Sequence, residues 1–273
     1  MNRRLRRRVL GTVGTATVAL PFWTGCAFAG TISIRSAIQA ERQGDALLVS
    51  VELANAGDEP AHLVQARLEA AGMNFAGGDH PLIAPGAGAR ETWRVPLAGK
   101  PPGRHPILLW IHYSDANGYP FTALASAIVS IDRDVAPQVA ARFSEPEVSL
   151  AGNGRARLEL ANLAEQELAL SVRLVGPREL RLSPGRRRFA LVARQRRELE
   201  LELENLSALP GSRYPIFAVV EHGAELHHTV IAQGWVEIGA RRSWTPGLRY
   251  LIYGALLLLA AWMIWGARRS IRG

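Results

Sequence analysis

Polarity alternates with a period of two along most of the chain between residues 31 and 238. "ALLVSVELAN" from Ala46, "HLVQARLEA" from His62 and "RELELELEN" from Arg197 turn alternate side chains to an apolar face, the pattern of a strand with one buried side. Gly, Pro, Asn and Asp bound these runs. Asn117-Gly118, between "ILLWIHYSD" and "FTALASAIVS", predicts a two-residue hairpin turn. Six or seven short strands per hundred residues predict two-sheet sandwiches rather than a barrel or an α/β fold.

The strands recur as a unit. "VELANAGDEPAHLVQARL" from Val51 matches "LELANLAEQELALSVRLV" from Leu158. Each copy then reaches a proline-glycine turn and a Pro-Ile strand start, in "PGRHPILLWIHY" from Pro102 and "PGSRYPIFAVVEH" from Pro210. Each closes on an apolar strand, "TALASAIVSI" ending at Ile131 and "TVIAQGWVEI" ending at Ile238. The chain therefore reads as two copies of one domain, residues 30–132 and 138–240, with a linker at 133–137. This order resembles the bacterial immunoglobulin-like domains of the CARDB and NEW3 type, in which a strand ending in Asn-x-Gly is followed by small polar residues and a second strand. The second copy departs from it, with Asn162-Leu163-Ala164 where the first has Asn55-Ala56-Gly57. The resemblance implies an extracytoplasmic adhesion, spacing or assembly module without catalysis, and implies no ligand.

The ends of the chain follow other rules. Five arginines, an apolar run from Val9 to Trp23 and Ala27-Phe28-Ala29 have the three-part layout of a signal peptide over 1–29. An uncleaved anchor helix and lipidation of Cys26 are the alternatives. Cys26 is the sole cysteine, so cleavage after Ala29 leaves no thiol for a disulfide, a metal or a nucleophile. From Tyr250 to Ala267 there is no charge, and that length of helix covers about 27 Å, close to a bilayer's hydrocarbon thickness. The expected fold class is all-β: two tandem immunoglobulin-like β-sandwiches plus a C-terminal transmembrane helix at 250–267, with a cytoplasmic tail at 268–273. That arrangement predicts a single-pass protein of the cytoplasmic (inner) membrane with its sandwiches facing the periplasm or the cell exterior.

Charge reinforces the division. The formal net charge is +8, but residues 1–29 hold five arginines and residues 241–273 hold six, with no acid in either, leaving −3 for residues 30–240. Nucleic-acid binding loses its main support, because no basic domain remains to neutralise phosphates. The expected partners are the membrane and envelope or membrane proteins. A polysaccharide bound on Trp93, Trp110 or Trp235 is an alternative from another class.

Candidate chemistry concentrates in "PGSRYPIFAVVEHGAELHH", residues 210–228. With Ala224-Glu225 as the turn, His222 lies opposite His227, and one face offers those two with Glu225. A structural zinc site takes four ligands and a catalytic one usually three, so the set falls short. In the first copy Tyr113, Pro120 and Phe121 align with His222, His227 and His228, so the histidines read as amphipathic fillers at an exposed tip, and no cofactor is expected. No G-x-S-x-G, H-E-x-x-H, phosphate-binding glycine loop or cysteine cluster occurs in the mature region, which argues against an enzyme.

One pattern resists the half-exposed strand reading. On the last strand of the second copy, Leu226, Val230, Ala232, Val236 and Ile238 form the core side, yet the other face carries Ile231 and Trp235. Leu124 and Ile128 occupy the equivalent positions in the first copy. Either a neighbouring loop or the other copy covers these four, or they form a docking surface for a partner. The expected function is a non-catalytic scaffold or accessory subunit, with polysaccharide binding and metal handling at His222 and His227 as alternatives.

Overall fold

The structure, a computed structural model, describes residues 31–145, 147–239, 250–259 and 261–262. The first sandwich contains β1 (Ile34–Gln43), β2 (Ala46–Asn55), β3 (Ala61–Ala70), β4 (Met73–Ile83), β5 (Gly88–Pro96), β6 (Gly103–Ser114) and β7 (Pro120–Ile131). One sheet has the order β1-β2-β5 and the other β4-β3-β6-β7, with every pairing antiparallel. The chain crosses between sheets after β2, β4 and β5, which is an immunoglobulin-like arrangement. Alternation along β2 and β6 delivers Val49, Val51, Leu53, Ile107, Leu109 and Ile111 to a shared core. The indole N–H of Trp93 donates to the Ala76 carbonyl at 2.9 Å.

The second sandwich contains β8 (Val139–Phe143), β9 (Glu147–Leu150), β10 (Asn153–Asn162), β11 (Leu168–Val175), β12 (Leu180–Ser183), β13 (Arg186–Leu191), β14 (Arg196–Asn205), β15 (Arg213–His222) and β16 (His228–Ile238). Its sheets are β12-β14-β10-β8 and β13-β11-β15-β16-β9. The first copy has one long edge strand in β4; the second has two short ones separated by Pro184-Gly185. β12 pairs with β14, while β13 pairs with β11 in the other sheet, a strand path that changes sheets at a corner. β9 runs parallel to β16.

The repeated Glu-Leu-Ala-Asn motif ends in the residue that closes each sandwich. Asn55 is buried; its amide donates to the carbonyls of Glu59 (2.7 Å) and Ile83 (3.1 Å), and its oxygen accepts from Gly57 N–H (3.0 Å). Asn162 does the same with Gln166 (2.8 Å), Leu191 (2.9 Å) and Ala164 N–H (2.8 Å). Each side chain stitches the turn after its strand to the opposite sheet, using donors and acceptors that burial would otherwise leave unpaired.

Two hairpin expectations are corrected. The β6–β7 connection runs from 115 to 119 rather than over Asn117-Gly118 alone, because the Asp115 carboxylate accepts from the N–H groups of Asn117 (2.9 Å) and Tyr119 (2.8 Å). The β15–β16 connection runs from 223 to 227, so His222 pairs with His228, not with His227, and Glu221 with Thr229.

The expected membrane-spanning helix is also corrected. Among the described residues, no helix is long and apolar enough to cross a membrane. The described helical residues are 250–259 and 261–262, fewer than the ~20 that a crossing takes. An uncharged stretch of sequence establishes hydropathy, not helix length. The single-pass inner-membrane placement that rested on that helix is withdrawn with it. The expected signal peptide at 1–29, Cys26 and residues 263–273 lie outside the described residues.

Candidate functional site

Both sandwiches fall within one compact unit that begins at Thr31. The reason lies on the outer faces of the two larger sheets. "ILLWI", Ile107–Ile111, and "IFAVV", Ile216–Val220, are apolar on both faces of β6 and β15, the composition of strands covered on both sides. Ile107, Leu109 and Ile111 fill the first core, and Ile216, Ala218 and Val220 the second. The intervening Leu108, Phe217 and Val219 meet between the sandwiches with Val175, and Trp110, Leu124 and Ile231 pack around them.

The contact is built from equivalent parts. Tyr113 and Phe121 are cross-strand partners with stacked rings, 5.5 Å between centroids, and His222 and His228 are the same pair in the second copy at 4.6 Å. Counting along the strands from these pairs, Leu108 corresponds to Phe217, Trp110 to Val219 and Leu124 to Ile231. β16 lies against β6 and β15 against β7, so the copies exchange equivalent strands, as subunits do in a two-fold dimer. A half-buried ion pair guards the rim. The Arg173 guanidinium donates two bonds to the Glu69 carboxylate, at 2.9 and 2.5 Å.

The ends of this interface differ. At one, the backbones join: His227 N–H donates to the Pro102 carbonyl and Arg104 N–H to the His227 carbonyl, both at 2.8 Å. A Cβ on Gly103 would sit 2.1 Å from the His227 carbonyl oxygen, and Gly103 has φ 121°, so only glycine admits this approach. The His227 ring stacks on His105, centroids 4.4 Å apart, and its Nε2 lies 3.2 Å from Glu221. His105 Nε2 lies 2.8 Å from the Pro101 carbonyl. His222 and His228 are buried, and His222 Nε2 and His228 Nδ1 have no partner. Burial depresses His105, His222 and His228, with neighbouring imidazoles adding to the effect, and His222 falls to about 4.

At the other end, the Tyr119 hydroxyl donates to the Ser207 carbonyl. Glu179 is fully buried beside it, and neither carboxylate oxygen has a hydrogen-bond partner. Burial raises its pKa, outweighing the opposing pull of the Arg178 guanidinium 3.8 Å away.

The expected metal set does not come together. His222 faces His228, His227 faces His105 and Glu221, and Glu225 lies exposed in the connection. Among the described residues, no group of three His, Cys, Asp or Glu side chains is placed to hold a metal ion. The histidine tip is a buried junction instead of an exposed corner. Of the four apolar candidates, Leu124 and Ile231 pack into the contact between sandwiches. Ile128 and Trp235 lie further along β7 and β16, half-buried, opposite Pro106 and Pro215. The Arg213 guanidinium covers the Trp235 ring at 4.3 Å and Arg67 covers Trp110 at 4.9 Å, while Trp93 is buried. None of the three tryptophans presents a bare ring for a sugar.

Sequence reasoning missed Gly103, His105, Glu69, Arg173 and Glu179. The doubly apolar strands at 107–111 and 216–220 were the available signal that a further surface covers them.

No family model matches the chain, and a search of curated proteins returns no match. Among solved structures, a variant of Salmonella alpha-2-macroglobulin is 13% identical over 76% of this chain and 16% of its own, with a TM-score of 0.33. Trypsin-activated alpha-2-macroglobulin from Escherichia coli is 13% identical over 76% of this chain and 18% of its own, TM-score 0.33. The ASH / PapD-like domain of human CEP192 is 13% identical over 42% of this chain and 98% of its own, TM-score 0.28. The chain thus spans only 16 to 18% of the macroglobulins' length, and nothing about their activity is carried over to it.

Proposed function

We propose that the chain is a non-catalytic interaction module, in which two immunoglobulin-like sandwiches of the CARDB and NEW3 type act as one rigid body that holds a protein partner in fixed geometry. The observation that supports this reading is the apolar contact between the larger sheets, centred on Leu108, Phe217 and Val219. Tandem domains joined only by a linker move independently; domains that bury aromatic and aliphatic side chains against each other do not. Leu124 and Ile231 serve this rigidity, which leaves Trp235 and Ile128 as the outward apolar positions for a partner.

The test is site-specific photocrosslinking in the source cells from full-length chains carrying the photoreactive group at position 128 or 235. The reading expects one recurrent protein adduct that is lost when Arg213→Glu disturbs the Trp235 surface. Absence of any specific adduct, together with retention of the chain on a polysaccharide column, would replace it with the carbohydrate reading.

A further inference from the structure

Four of the seven histidines in the chain, His105, His222, His227 and His228, meet where the backbones of the two sandwiches join. They form two stacks at one place: His105 on His227 across the contact, at 4.4 Å, and His222 on His228 beneath it, at 4.6 Å and 3° between planes. The connection 223–227 lies between the stacks and carries both interdomain backbone bonds. The equivalent corner of the first sandwich uses Tyr113 and Phe121, which do not titrate in this range.

We propose that this junction is a proton-operated latch, which holds the two sandwiches together while its imidazoles are neutral and releases the 223–227 connection from residues 101–105 when they are protonated in mildly acidic conditions.

The groups around the cluster decide what each ring meets. His105 faces His227, Glu221 and Lys100; His222 faces His228 and His227; His228 faces His227, Arg104 and the Ala136 carbonyl. Glu221 in turn faces His227, Arg173 and Arg186. Burial alone would raise its pKa, but the hydrogen bond with His227 and the guanidinium groups of Arg173 and Arg186 outweigh burial and lower it. On His105 an added proton has a single carbonyl as its acceptor, and on His222 or His228 it makes a buried cation beside the unpartnered ring nitrogen each already carries. Groups whose docked pKa lies below the free value of 6.5 bind more protons once the junction opens. Docking is complete above 6.5 and weakens as pH falls from there toward about 4, the value for His222.

Amide hydrogen exchange of the full chain between pH 7.5 and 5.0, corrected for intrinsic rates, reads the latch directly. The amides of Arg104 and His227 should lose protection at least tenfold over that range while those of Val51 and Leu158, deep in the two sandwiches, keep theirs. Combined His105→Phe and His227→Phe preserves a ring stack that cannot take a proton and should diminish the pH dependence, leaving the part carried by His222 and His228. Unchanged protection in the wild type, or undiminished pH dependence in a folded double variant, overturns the proposal. If the double variant does not fold, NMR titration of the wild-type histidines decides, and His105 titrating at or above 6.5 overturns it.

Discussion

The two sandwiches share a strand plan, a buried asparagine clamp and a stacked ring pair at the tip of the β6–β7 and β15–β16 hairpins, yet they finish that tip in different materials. The first uses Tyr113 and Phe121, beside a connection ordered by its own Asp115. The second uses His222 and His228, and its connection is ordered by the backbone of the first sandwich. The Pro-Gly turns before β6 and β15 diverge in the same way. Gly103 lies against the His227 carbonyl, whereas nothing lies within 4 Å of a Cβ at Gly211. A repeated sequence thus supplies one architecture twice, and the departures from the repeat mark where the copies touch.

That comparison can be broken at several points, the most severe first. Phe217→Asp places a carboxylate among Leu108, Val175 and Val219 and should separate the sandwiches, at a cost of about 4 kcal/mol or more; chemical denaturation would show two transitions in place of one. Asn162→Ala strands the carbonyls of Gln166, Leu191 and Val192 and the Ala164 N–H and should cost about 3 kcal/mol, with Asn55→Ala costing the same within about 1 kcal/mol. Unequal losses would mean that the clamp is not the same device in both copies. Gly103→Ala should cost about 2–3 kcal/mol through the close approach to His227, whereas Gly211→Ala, strained only by its φ of 85°, should cost about 1 kcal/mol. Glu69→Gln weakens the charge pair with Arg173 and should cost about 1–2 kcal/mol, an effect that shrinks in high salt.

The smallest expected effect carries a sign. Glu179 has a raised pKa when folded, so its contribution to stability is fully present below 4.5 and is lost as pH rises through the folded value. Glu179→Gln removes that loss. The variant should melt at a slightly higher temperature than the wild type at pH 8 and lose the advantage at pH 4; an advantage that grows toward acid would contradict the burial account.

Much of the architecture was legible because it is written in local patterns. Alternation placed β2, β3 and β14, and the internal match revealed two copies. The hairpin registers were not legible, since a five-residue connection fixed by Asp115 or by contact with another domain looks the same in sequence as a two-residue turn. A short polar segment with three histidines likewise looks exposed until the surface that covers it is known. The Glu69–Arg173 pair spans more than a hundred positions, and no local rule links such residues. Ile231 and Leu124 did stand out, as apolar side chains on a face expected to be polar. What the sequence left open was whether a partner or the sister domain would cover them.

The central claim is that the two sandwiches fold and move as one body. Scanning calorimetry of the full-length chain at pH 7.5 tests it most directly. The account predicts a single transition covering residues 31–239, with equal calorimetric and van't Hoff enthalpies, that divides in two in Phe217→Asp. Two independent transitions in the wild type, unchanged by that substitution, would show that the contact between the sheets does not couple them.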